Sequence, residues 1–243
     1  MLPRMPDSSA PAVHIRDVEK DYRSLRPLRI RELDVPEGES VALLGFDRAA
    51  AEVFVNLLTA ATIPDSGRIE IFGRPTVDIQ DATTWLSSLD CFGIVSERQV
   101  LLDNMTVEEN LTMPLTMAVH DVDSAVRSKV TAVAEEVGFS SGQLRQPVGE
   151  LSASWKLRVR LGRALAPNPR ILLSEHPNAS LDIGDVREFA VEYARLVRRR
   201  AITSLVLTAD TAFASAASQR VLRLQPATGE LKALPAWRRV FNF

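Results

Sequence analysis

The residues best placed to do chemistry fall where short apolar runs end. Gly45 closes the run Ser40-Val41-Ala42-Leu43-Leu44 and opens the stretch Gly45-Phe46-Asp47-Arg48-Ala49-Ala50-Ala51-Glu52. From residue 49 to 61 the apolar spacing becomes that of a helix, with Val53, Phe54, Leu57 and Leu58 on one face. A strand-to-helix turn aims backbone N–H groups outward, which is how phosphate-binding loops are built. A second break, Ile171-Leu172-Leu173-Ser174-Glu175-His176-Pro177, sets a carboxylate beside an imidazole. A histidine so placed can act as a general base. A third candidate is Ser152, just before helix-spaced residues. Its hydroxyl can bind a phosphate at the helix N-terminus or simply cap the helix.

The elements that must hold these residues follow from periodicity. Residues 13–18 and 28–35 alternate apolar with polar side chains, as half-buried strands do. Pro36-Glu37-Gly38-Glu39 is a turn, and the continuous apolar run 40–44 suits a strand covered on both faces. Asp65-Ser66-Gly67 turns into a strand at 68–72, and 93–95 is another short strand. Residues 104–147 read as mostly helical, with Val126, Val130, Val133 and Val137 on one face. A helix at 157–166 is closed by Pro167-Asn168-Pro169. A strand at 171–173, a helix at 186–200 and a strand at 204–208 follow. Strands at 221–224 and 230–233 flank Pro226-Ala227-Thr228-Gly229. Strands alternating with helices predict an α/β fold with a parallel central sheet, and the helix-rich middle reads as an insertion.

Bulk properties exclude several classes. Lys and Arg total 29 against 31 Asp and Glu, a net charge of -2, which argues against a nucleic-acid binder. The single cysteine, Cys91, rules out an internal disulfide framework and suits a reducing compartment. No apolar run approaches the roughly 18 residues that cross a bilayer. The first dozen residues lack the apolar core of a secretory signal. The Pro, Ser and Ala content of residues 1–12 reads as a flexible extension and 235–243 as a tail, leaving 13–234 as one domain whose helix-rich middle, at about 100–165, reads as a helical subdomain. That tail, Trp237-Arg238-Arg239-Val240-Phe241-Asn242-Phe243, reads as a loosely packed terminus or a docking segment.

In order and spacing these segments resemble the ATP-binding-cassette (ABC) ATPase family over about residues 13–234. The resemblance implies a P-loop NTPase-like parallel sheet flanked by helices, with an N-terminal antiparallel β region and an inserted helical subdomain. Tyr22 falls where the family stacks an aromatic ring on adenine. The family's phosphate loop, G-x-x-x-x-G-K-[ST], aligns with residues 45–52. Gly45 is kept, Ala50 replaces the second glycine, Ala51 the lysine and Glu52 the metal-binding hydroxyl. Losing the lysine removes the ammonium that offsets phosphate charge, and Glu52 adds a like charge there. Arg48 is the nearby residue able to offset it. Glu97 takes the place of the glutamine that touches metal and water. The segment 101–111 matches the lead into the helical subdomain, near the groove that receives a transporter's coupling helix. The signature loop LSGGQ is here Leu151-Ser152-Ala153-Ser154-Trp155. Glu175 stands for the metal-side aspartate, His176 for the water-polarising glutamate, and Ala209 for the switch histidine. Asp182, in Asn178-Ala179-Ser180-Leu181-Asp182, aligns with the loop at the dimer interface.

The implied function is a nucleotide-binding subunit of an ABC transporter-type complex, as a pseudo-ATPase with a structural or regulatory role beside an active partner. Its implied partners are a transmembrane permease and a second ABC ATPase subunit, in a homo- or heterodimer. Through them it would sit in the cytoplasm, peripheral on the inner face of the cell membrane. ATP and Mg²⁺ enter only if the degenerate site still binds them, or through the partner's site. Two alternatives stay open: a divergent active ATPase using Arg48, Glu52, Glu175 and His176, and a regulatory dimer independent of any transporter.

Overall fold

Two stretches of alternating side chains, 13–20 and 28–35, form a hairpin. β1 (Val13–Lys20) and β2 (Leu28–Val35) pair antiparallel, with Val13 opposite Val35. β4 (Ser66–Ile71) adds to the other edge of β1, and the short β5 (Arg74–Pro75) to β4, giving the order β2-β1-β4-β5. The structure, a computed structural model, describes residues 10–119 and 122–234. Most of the expected extension (residues 1–9) and the tail 235–243, with its aromatic residues, lie outside the described residues.

A second sheet runs β10-β9-β3-β8-β7-β6. Its strands are β3 (Ser40–Leu44), β6 (Phe92–Ser96), β7 (Ile171–Glu175), β8 (Thr203–Leu207), β9 (Arg220–Gln225) and β10 (Glu230–Ala233). Neighbours pair in parallel throughout except β10, which closes the edge antiparallel to β9. The continuous apolar strands have the two covered faces expected of them. Val41 and Leu43 of β3 point into a core shared with the small sheet and α1 (Arg48–Leu58), where Phe54, Leu57 and Leu58 pack. Ala42 and Leu44 point into the opposite core, with Leu172 and Val206. That core is closed by α3 (Val107–Thr112), α4 (Ser124–Glu136), α5 (Ala153–Leu165), α6 (Ile183–Arg200) and α7 (Thr211–Ala217). The α/β architecture with parallel sheet, antiparallel β region and helical insertion is the one the sequence predicts.

Three local expectations change. Among its described residues the stretch 104–147 is less helical than its apolar spacing predicts: α3 stops before Pro114 and α4 before Gly138. One-turn 3-10 segments follow at Gln143–Arg145 and Val148–Glu150. α2 (Ala82–Leu89) and α7 add to the predicted elements, since eight and seven residues are too few to reveal a period. Each instead starts at an aspartate cap: Asp81 accepts from Thr84 N, and Asp210 from Ala212 N and Phe213 N. α5 and α6 begin earlier than predicted, directly at Ser152 and Asp182.

Candidate functional site

Parallel strands end together, so the carboxyl ends of β3, β8, β7 and β6 form one edge, where ligands of open α/β sheets bind. Gly45 leaves β3 with φ +91°, and a Cβ there would lie 3.1 Å from Leu224 O. Only Phe46 and Asp47 separate it from α1. Phe46 is buried against Phe54, with ring centroids 5.3 Å apart. Asp47 is the N-cap of α1: its carboxylate accepts from Ala50 N at 2.7 Å, and its carbonyl from Ala51 N at 2.9 Å. One N–H group that a phosphate would use, that of Ala50, is therefore already taken by an anion, while the Ala51 bond is the first of the helix's own. Ala50 is buried, and Ala51, expected at the phosphate loop's lysine position, is 0% exposed within the small-sheet core.

A cation that the sequence reading did not single out sits at the centre of the edge. Arg98, two residues beyond Ser96, reaches Glu175 with Nε at 3.0 Å from Oε2 and Nη2 at 2.5 Å from Oε1. Its Nη1 lies 3.1 Å from Glu52 Oε1. The Ser96 hydroxyl donates to Glu175 at 2.7 Å, and its oxygen accepts from Arg98 N. Glu175 is 6% exposed, so an uncompensated charge there would be costly. The bidentate hydrogen bonds to Glu175 raise the Arg98 pKa above its already high ordinary value, which fixes the charge. Arg48, the expected offset, lies elsewhere: it is 77% exposed and 3.4 Å from Glu97. Only a surplus of acid between residues 52 and 175 could have pointed to a hidden counter-charge.

The remaining candidates are distributed around this edge. His176 has φ +43°, a strained value for a side-chain-bearing residue, and its N–H donates to Leu207 O at 2.7 Å. Its Nε2 is buried without a hydrogen-bond partner. Asn178 links the loop before α6 to the end of β8, donating to Asp210 at 3.1 Å and accepting from Thr208 at 2.9 Å. Ala209 is exposed between those two. Tyr22 is half-buried against the small-sheet core. Ser152 and Asp182 cap α5 and α6 in position but donate or accept no side-chain cap bond, and both are exposed. Ile183 beside Asp182 is 95% exposed. Trp155, in the first turn of α5, packs on Phe139 at 4.8 Å, under the Arg158 guanidinium.

Magnesium with a nucleotide does not fit these residues as they stand. The point between Glu52 and Glu175 holds a guanidinium, the start of α1 holds the Asp47 carboxylate, and no lysine projects from position 51. Among the described residues no group of three His, Cys, Asp or Glu side chains is arranged to hold a metal. A further feature is a cleft of about 330 Å³ on the helical side, lined by Leu89, Phe92, Met113, Pro114 and Arg163.

A family model described as "ABC transporter" matches residues 28–179. The lipoprotein-releasing system ATP-binding protein LolD of Coxiella burnetii is 29% identical over 211 residues, 85% of this chain and 90% of that protein. The ABC transporter ATP-binding protein YtrE of Bacillus subtilis is 31% identical, over 75% of this chain and 78% of that one. The macrolide export ATP-binding/permease protein MacB of Syntrophobacter fumaroxidans is 28% identical over 92% of this chain, which spans 32% of that longer protein. The structure of cbiO1 from Clostridium perfringens matches the fold with a TM-score of 0.78 at 18% identity, covering 92% of this chain and 87% of that one.

Proposed function

The chain belongs to the ABC transporter family, and from that premise we propose that it is a nucleotide-binding-domain subunit whose own site does not hydrolyse ATP. It acts as a pseudo-ATPase, structural or regulatory, beside an active ABC subunit and a transmembrane permease. The observation that carries this reading is the Glu52–Arg98–Glu175 cluster, in which a side chain takes the position a metal would need. Residues missing at 51, 52, 97, 176 and 209 add to it, because each loss of a transition-state contact costs on the order of a hundredfold in rate.

The exposed, unbonded ends at Ser152 and Asp182 support pairing with a second ABC subunit, with Ser152 at the partner's nucleotide. The cleft by Met113 and Pro114, beside Val100 at 74% exposure, supports docking of an apolar helix from a permease. On this reading the 100–165 segment serves as the helical subdomain, and the protein is held at the inner face of the membrane by that partner. Among the described residues no helix is long and apolar enough to cross a membrane.

Calorimetric titration of the purified chain with Mg-ATP tests the closed site, and no binding heat is expected. Micromolar binding with turnover that disappears in His176→Ala overturns it in favour of a divergent ATPase. In the complex with its ABC partner, Ser152→Arg is expected to lower the ATPase rate at least tenfold; an unchanged rate removes the composite arrangement.

A further inference from the structure

Two carboxylates at one edge of a sheet repel each other unless a cation lies between them, increasingly so as water is excluded. Glu52 comes from α1, Glu175 from the end of β7, and the Ser96 hydroxyl from the end of β6. Oxygen donors of this kind, converging from three elements, are what hard divalent ions such as Mg²⁺ and Ca²⁺ require. Here the convergence point is filled by one planar group, which directs Nε and Nη2 to one carboxylate and Nη1 to the other.

We infer that Arg98 is a built-in substitute for a divalent cation, and that Glu52, Glu175 and Ser96 become a divalent-cation site when its guanidinium is removed. The inference rests on the reading of the nucleotide site as closed, because the same guanidinium excludes the ion that would accompany a triphosphate. It carries a consequence for the fold. An ion can leave with its ligand, whereas a tethered guanidinium stays. Arg98 stands where the chain leaves β6 for the helical segment. The next two residues are held in turn from α5, Gln99 O by Arg160 at 3.4 Å and Val100 O by Arg163 at 2.7 Å. The junction between sheet and helical segment is thus fastened without any nucleotide.

Thermal unfolding of the full chain in chelator-treated buffer, with and without millimolar Mn²⁺ or Ca²⁺, tests this. Arg98→Gln is expected to melt about 5 °C or more below the unaltered chain. Either ion should recover at least half of that loss while leaving the unaltered chain unmoved. The double variant Arg98→Gln/Glu52→Gln, which keeps one carboxylate, should melt above Arg98→Gln without metal and lose the metal response. If Arg98→Gln is too unstable to purify, recovery of the folded double variant under the same conditions supports the inference and its equal loss overturns it. An Arg98→Gln chain as stable as the original overturns the inference. So does an Arg98→Gln chain that neither ion restabilises, an equal metal response in the unaltered chain, or a double variant that is no more stable than the single one. Mg-ATP binding by the unaltered chain would instead count against the closed nucleotide site, so the two readings fail on different measurements.

Discussion

At the scale of single residues, position 51 separates a lost side chain from a site rebuilt around its loss. Ala51 packs in the core with 0% exposure, inside a helix that starts as early as Arg48. A lysine placed there must bury its stem and charge or distort the first turn of α1. Ala51→Lys is therefore expected to destabilise by at least about 2 kcal/mol, measured by denaturant unfolding. Combined with Glu52→Ser it is expected to leave Mg-ATP binding undetectable in calorimetry, since Asp47 still caps Ala50 N. Restored binding in that double variant would show that residue loss alone closed the site.

At the scale of elements, two contacts set how the strands meet the helices. β6 approaches α5 so closely at Gly93 that a Cβ would lie 2.4 Å from Ala164 O and 2.9 Å from Pro169 Cγ. The first obstacle is backbone and cannot swing aside. Gly93→Ala is expected to cost about 2 kcal/mol or more, read from the urea midpoint. Tyr193 of α6 links two buried strands, with its hydroxyl 2.9 Å from Ser174 Oγ on β7 and 2.7 Å from Ser204 Oγ on β8. Burial pushes its pKa from 10.0 up to about 12, against the opposing effect of those two hydrogen bonds. The unfolded chain therefore loses the proton first as pH rises. The stability this residue contributes is complete below its ordinary value and disappears as pH climbs through the raised one. Tyr193→Phe should lower stability at pH 7 by about 1–3 kcal/mol, because two buried hydroxyls lose a partner. It should also flatten the alkaline decline between the two pKa values, as followed by melting temperature.

At the scale of the whole molecule, ligand linkage gives a direct readout. A chain that bound Mg-ATP would be stabilised by about 4 kcal/mol at a thousand times the dissociation constant. The melting temperature is expected to stay fixed on adding millimolar Mg-ATP, and a rise of several degrees would contradict the reading of the nucleotide site as closed. Ile183 belongs to this scale too, since an isoleucine 95% exposed beside an unbonded cap gains nothing within one chain. Ile183→Asp should change the stability of the isolated chain by under about 0.5 kcal/mol. In a pull-down it should weaken assembly with the ABC partner.

The amino-acid sequence determined the parallel sheet and its two covered faces, because runs such as 41–44 and 171–173 offer no polar side chain to face water. It also supplied the expectation that site residues are replaced at positions 51, 52, 97, 176 and 209, since residue identity at a given spacing is local information. What only the tertiary structure decided is where the counter-charges go. Arg98 and Glu175 are 77 residues apart, and whether they meet depends on β6 lying beside β7 in register, Ser96 opposite Glu175. Long-range pairing of that kind leaves no period in the chain. The site first read as stripped of its cation instead holds one, supplied by a neighbouring strand end rather than by the loop itself. Likewise, Asp47 becomes a helix cap rather than part of an open loop only once Phe46 is anchored against Phe54 and α1 can start one residue later.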